Sequence, residues 1–276
     1  MDVLPPSRPR EWDHAVIAVH DLDAAAETFE SLGFTLTAKA EHPFGTANRL
    51  ALLERTYIEL IAVERPDRIE APSADNFGFA AFVARYLRHR EGLAMMALKI
   101  ENADAEARRY VDEGLVAFPP RRFSRKADMP DGREETVSFV TAHALDPRLP
   151  ELTLFGCQHE AADAVWAAGS HTHANGARDI TGAIVLDENP TDHHIFYASM
   201  LGLRDMHASS AGIRLSMERG ELDIMPSTAY SARYGRPVMP LSTPGLAALR
   251  IRADRSRIVP AEDACGVMLI FEETDE

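Results

Sequence analysis

Cysteine is close to absent: Cys157 and Cys265 are the only two in 276 residues. Two thiols exclude a disulfide framework and a cysteine-rich zinc site, and they fit a reducing compartment. Basic charge is also short, with 29 Lys and Arg against 43 Asp and Glu and a net charge of −14. A nucleic-acid partner needs a basic footprint that this balance does not supply. No run approaches the roughly 18 consecutive apolar residues of a membrane span. The N-terminal "MDVLPPSRPREWD" lacks the apolar centre of a secretory leader, and its prolines fit a short extended arm. The expectation is a cytoplasmic protein with neither nucleic acid nor membrane as partner. Gly-rich phosphate loops and a nucleophile elbow are missing as well.

What is there is a chain of ordinary soluble composition, 46% hydrophobic and 26% charged. Its length predicts one large or two ordinary domains with a substantial core. One pattern recurs along it. His14–Val19 reads as a strand, Asp23 as the N-cap of a helix over Ala24–Leu32, and Gly33 as the residue past its end. Three strands follow, "FTLTAKA", "ANRLALLE" and "TYIELIAV". After a helical connector at 74–90 the order restarts with "AMMALKI", an Asp104-capped helix, and the strands "FPPRRFSRK", "ETVSFVTA" and "ELTLFGC". One shift of 81 residues carries Asp23 onto Asp104, Gly33 onto Gly114 and His14 onto Met95. A third copy starts at Arg178, and its "ERGELDIM" (218–225) matches "ERTYIELI" (54–61), placing Asp223 on Glu59. A fourth copy, "GLAALRIRAD" then "GVMLIFEE", has no room for a full helix.

The pattern predicts an α+β protein of tandem βαβββ modules that pair into cupped, partly closed mixed-sheet barrels, the last module truncated. The expected organisation is an arm at 1–10, a first domain at 11–160 (modules 11–70 and 92–160), a linker at 161–177 and a degenerate second domain at 178–276. Paired modules within one chain still leave sheet edges through which a homodimer can form.

The stretches "WDHAVIAVHDLDAAAETFESLGF", "HPFGTANRL" and "YIELIAV" resemble the vicinal oxygen chelate superfamily, more narrowly its glyoxalase-like branch. The resemblance implies paired modules around a cavity that often holds a divalent metal. It also implies substrates that chelate the metal through adjacent oxygens, and isomerase, lyase or oxygenase chemistry. Other members bind small molecules without metal. In the metalloenzymes one ligand sits on the first strand of a module and one on its last, here His14 and Glu59. An imidazole and a carboxylate facing one cavity suit Zn²⁺, Mn²⁺ or Fe²⁺, and a carboxylate amid apolar strand residues is expensive unless something satisfies it. The second module offers Met95 opposite His14, and Thr153 and Phe155 where a carboxylate is expected, so His159 is the best third ligand, with Gln158 next.

Glu59 and His42 are the candidate acid–base groups, His42 because imidazole titrates near neutrality. Thr46 and Asn48 are candidate substrate contacts, or else satisfy their own turn. In "PPRRFSRK" (119–126) alternation puts Arg122, Ser124 and Lys126 on one side and Arg121, Phe123 and Arg125 on the other; Arg122 is the candidate to hold a substrate carboxylate, a solvated strand edge being the alternative. "HTH" (171–173) reads as a turn into the third module, and the second domain as structural. The leading expectation is a metal-assisted small-molecule enzyme; the rival is a metal-free protein of the same fold that sequesters a small apolar compound.

Overall fold

The computed structural model describes residues 8–235 and 244–273. Residues 1–7 of the expected arm lie outside that range. In the first half β1 (Glu11–Ala18) leads into α1 (Leu22–Ser31), β2 (Ala40–Glu41), β3 (Thr46–Leu52) and β4 (Tyr57–Val63). Helix α2 (Phe79–Tyr86) connects to β5 (Gly92–Lys99), α3 (Ala103–Asp112), β6 (Val116–Ala117), β7 (Arg121–Asp128), β8 (Glu134–Leu145) and β9 (Thr153–His159). These strands form one nine-stranded mixed sheet in the order β2-β3-β4-β1-β5-β9-β8-β6, with β7 paired to β8. Parallel pairing of β1 with β4 is repeated by β5 with β9, and antiparallel β1–β5 pairing joins the two modules. The outer strands β2 and β7 touch without a hydrogen-bonded ladder, so the sheet curls into a cup that stays open.

After α4 (Ala162–Trp166), the second half contributes β10 (Ala177–Leu186), α5 (His194–Leu201), β11 (His207–Ser209), β12 (Gly212–Ser216) and β13 (Glu221–Met225). Helix α6 (Ser227–Tyr234) precedes β14 (Gly245–Ala253), β15 (Arg257–Val259) and β16 (Met268–Glu273). Their sheet runs β11-β12-β13-β10-β14-β16-β15, the same order without counterparts of β6 and β7, and no helix of α1's kind separates β14 from β15.

Helix starts are set by capping. Asp21, not Asp23, caps α1: its Oδ1 accepts the N–H groups of Asp23 and Ala24, both at 3.0 Å. In α3 the cap is Asn102, accepting from Ala105 at 2.8 Å, rather than Asp104. Asp23 and Asp104 sit in the first turns, where a carboxylate meets the positive end of the helix dipole. Asp21 to Asn102 is again a shift of 81, so the repeat survives the correction. "FTLTAKA" is a further correction: only Ala40 pairs as a strand there, because the preceding residues bond to β3 only through Thr37, on Leu50 and Arg49, and Thr35 turns to the 161–177 segment.

Strand β1 is buried on both faces. Ala15 and Ile17 join a core shared by both sheets that includes Phe29 of α1, Tyr110 of α3, Tyr197 of α5, Leu249 of β14 and Phe271 of β16. His14, Val16 and Ala18 point the other way, into the cup with Met95, Phe139 and Phe155. Residues 161–177 are docked. His173 accepts the Thr35 N–H on Nδ1 (2.9 Å) and donates from Nε2 to the Leu52 carbonyl (2.9 Å), while both His171 nitrogens face carbonyls, of Leu53 and Trp166, at 2.8 Å. The "HTH" imidazoles are thus spent on backbone.

Candidate active site

The cup of the first sheet is a cavity of about 500 Å³, its open mouth included. His14 from β1 and Glu59 from β4 both face it. The parallel register pairs Val16 with Glu59, so His14 and Glu59 lie two residues apart along neighbouring strands on the same side. The His14 Nε2 to Glu59 Oε2 distance is 3.7 Å, and both groups are buried.

A bulge completes the arrangement. Between Trp12 and His14 the β1–β5 register slips: Trp12 pairs with Leu98 and His14 with Ala97, leaving Asp13 as the extra residue. Alternation would send Asp13 to the opposite face. Instead its Oδ2 accepts the Nδ1–H of His14 at 2.6 Å and the Nε2–H of His159 at 2.9 Å. Burial alone would raise the Asp13 carboxyl, but the His159 charge and the two imidazole hydrogen bonds outweigh it and hold the group well below the usual carboxylate range. With Nδ1 committed to Asp13, His14 presents its Nε2 to the cup, its ring stacked on Tyr57 at 4.3 Å.

Across the cavity, Asn48 donates to Glu59 Oε1 at 2.5 Å and to His42 Nε2 at 3.3 Å, which leaves His42 Nδ1–H to donate to Thr46 Oγ1 at 2.9 Å. Thr46 therefore supports His42 from behind, and Asn48 orients Glu59. Burial, then the charges of Arg125 and His14, lower the pKa of His42 to about 3, below the near-neutral range that the sequence reading assumed for it. Phe44, Phe79, Phe123, Phe139 and Phe155 supply most of the remaining wall.

Two further placements differ from expectation. His159 turns to Asp13 rather than to Glu59, since it lies at the end of β9 behind the His14 ring. Arg122 is on the outer row of β7 and pairs with Glu160 at the surface; Arg121, Phe123 and Arg125 are the residues that line the cup. Both rows of that strand carry cations, so composition alone could not choose the phase. Asp13 and Arg125 are the site residues that sequence reasoning missed, the first because the bulge that turns it inward has no signature in "EWDHAV".

Two donor sets could hold a metal. In the cup, Nε2 of His14 has no partner closer than Glu59, and the buried Oδ1 of Asn48 has no hydrogen-bond partner among the described residues. These groups fit a divalent ion against one wall, but the second module places Met95 and Phe155 at the positions matching His14 and Glu59, its donors on the wall being Thr141 and Cys157. Beside the cup, Asp13, Cys157 and His159 bring ligand atoms within 4.8 Å of one another, a second candidate set. Burial, then the nearby carboxylates, pushes the Cys157 thiol far up, and Asp13 already accepts from two imidazoles, while the buried Nδ1 of His159 has no partner among the described residues.

Among the described residues the second sheet has no comparable site. Gly182 occupies the position of His14, and Asp223, opposite Ile184 as Glu59 is opposite Val16, is bound by Arg214 at 2.6 and 2.9 Å with Arg233 and Arg250 close by.

The family model described as a glyoxalase-like domain matches residues 12–201. Among solved structures, a hypothetical protein from Staphylococcus aureus superposes with a TM-score of 0.73 at 15% identity, over 96% of this chain and 100% of that one. A mutant of 4-hydroxymandelate synthase from Streptomyces coelicolor matches at TM-score 0.49 and 17% identity, covering 90% of this chain and 72% of its own. Methylmalonyl-CoA epimerase in complex with methylmalonyl-CoA and NH4+ matches at TM-score 0.40 and 21% identity, over 55% and 96%. No curated protein matches.

Proposed function

This chain belongs to the glyoxalase-like domain family, and from that premise we propose that it is a small-molecule enzyme that moves a proton at carbon beside a carbonyl group, assisted by a divalent ion. The observation that carries the reading is the His14–Glu59 pair, facing each other at 3.7 Å inside a largely aromatic cup. His14 and Glu59 would hold the ion. Bound there, it would act as a Lewis acid toward two adjacent substrate oxygens.

The chain's own residues do the rest. Asp13 fixes the His14 tautomer so that a lone pair, not a proton, faces the substrate. Asn48 holds Glu59 through Oε1 and leaves Oε2 toward His14; held only weakly there, this oxygen would take a proton from the substrate carbon and return it to its neighbour. His42, kept neutral, is a hydrogen-bond partner rather than a proton store. The aromatic walls exclude water and strengthen each of these polar contacts.

A second reading, metal-free sequestration of a small molecule, is favoured by one observation: Met95 and Phe155, both buried, stand where the second module would supply ligands. Deuterium exchange separates the two. A set of small 2-hydroxy and 2-oxo carbonyl compounds is incubated with the protein and Mn²⁺ or Zn²⁺ in D₂O and followed by proton NMR. The enzyme reading expects exchange at the carbon beside the carbonyl, reduced at least a hundredfold by Glu59→Gln. Binding with no exchange across the set supports sequestration.

A further inference from the structure

The basic strand β7 leaves one cation unaccounted for. Arg121 is held by Glu70 at 2.6 and 2.9 Å and by Asn76 at 3.1 Å. Arg122 pairs with Glu160, and Lys126 with Glu134 at 2.9 Å. Arg125 differs. It is 8% exposed and lines the cup, yet among the described residues no carboxylate lies within ion-pair distance of its guanidinium. It makes one hydrogen bond, from Nη1 to the Lys126 carbonyl at 3.2 Å, and its buried Nε has no partner. The group lies 5.9 Å from the Phe139 ring centre.

A guanidinium buried with no direct ion-pair partner is costly, Glu59 in the same cup attracting it only at longer range, and replacing such a group with an apolar one is often neutral or stabilising. Stability therefore does not explain Arg125. Its five donors lie in a planar fork that matches a carboxylate by two parallel hydrogen bonds, and its pairing capacity is unspent. The nearest wall is aromatic: Phe123 and Phe139 stack at 5.3 Å, and Phe44 meets Phe123 edge-on at 5.1 Å. Glu59 faces the same space, so an anionic ligand needs a cation on the opposite side to offset that repulsion; an ion held by His14 and Glu59 would add to the same attraction. A pocket walled by these rings suits a ligand with one flat apolar body and a short acid.

We infer that Arg125 receives the carboxylate of the substrate while the phenylalanine rings take its apolar body, so that the cup selects small aromatic or apolar carboxylic acids over neutral compounds. This rests on reading the cup as the small-molecule site.

The test is calorimetric titration of the full chain with 3-phenylpropanoate and its neutral amide, with and without Mn²⁺. The acid is expected to bind at least tenfold more tightly than the amide. Arg125→Gln should erase that difference, Arg125→Lys should keep it at lower affinity, and Arg122→Gln should change neither ligand. Arg125→Gln removes an unpaired buried charge, so its melting temperature is expected to hold or rise. The inference is overturned if wild-type protein fails to bind the acid, binds the two equally, or keeps its preference in Arg125→Gln. Glu59→Gln should retain the acid preference. Absence of deuterium exchange in the wild-type protein with the acid preference intact would overturn the catalytic reading alone, and wild-type exchange without any acid preference would overturn this one alone.

Discussion

Three buried imidazoles in the first half behave differently because of what each touches. His14 has a carboxylate on one nitrogen and faces another, whereas His143 has neither. His143 is stacked on Phe77 at 4.3 Å and on Phe155 at 4.8 Å, its Nδ1 without a partner, and burial together with the charge of Arg121 lowers its pKa to about 3. His42 is lowered similarly, by burial first. The sign follows from linkage. Below the ordinary value of 6.5 the unfolded chain takes up protons that the folded imidazoles refuse, so stability falls as pH drops from 6.5 toward 3. Each such histidine contributes a slope of about 1.4 kcal/mol per pH unit. Asp13 adds a separate loss below its ordinary 3.8, where a depressed carboxyl finally protonates. His143→Phe is expected to fold, to hold or gain stability near pH 7, and to shed one histidine's share of the acid slope. Urea denaturation at pH 6.5, 5.5 and 4.5 measures it; an unchanged slope would place the proton uptake elsewhere.

At the scale of elements, legibility depended on whether a residue's role is local. Turn glycines and the alternation of β4 are local, so Gly33, Gly114 and the inward face of Glu59 were readable from "SLGF", "DEGL" and "YIELI". The bulge at Asp13 and the phase of β7 depend on the partner strands β5 and β8, which is why Asp13 was missed and Arg122 was chosen over Arg125. The hairpin β3–β4 shows the same dependence. Its tip grips the start of β10: Asp179, buried, accepts from Thr56 Oγ1 at 2.6 Å and from Arg55 Nε at 2.8 Å, and the Ile180 N–H donates to Thr56 Oγ1 at 2.9 Å. Asp179→Ala leaves the buried end of this network unpaired and is expected to cost about 2 kcal/mol by urea denaturation. Asp179→Asn, which retains an acceptor for Thr56, should cost less than half as much.

For the whole molecule, the repeat announced four modules, and the residues describe two mixed sheets with the same strand order. What the repeat did not announce is how the sheets combine. One apolar core takes residues from β1, α1, α3, α5, β14 and β16, so each of these helices buries one face in it while the other, as at Glu27, Arg108 and Ile195, stays exposed. At one seam Gly266, at φ +81°, sits so close to the start of β5 that an added Cβ would lie 2.4 Å from the Glu91 carbonyl. A shared core of this kind predicts a single cooperative thermal transition with no separate melting of the second half. Differential scanning calorimetry checks this, and two resolved transitions would contradict it. No helix among the described residues is long and apolar enough to cross a membrane.

The account stands on His14 and Glu59 holding a divalent ion, and metal content reads that most directly. Protein prepared without chelator, equilibrated with Mn²⁺ or Zn²⁺ and desalted, is analysed by inductively coupled plasma mass spectrometry beside His14→Ala, Glu59→Gln and His159→Ala. The expected result is about one ion per chain in wild type and in His159→Ala, and loss of the ion in the other two. Contradiction would be an ion that survives both cup substitutions but leaves with His159, which would move the metal to the Asp13–Cys157–His159 cluster, or a wild-type protein that retains none.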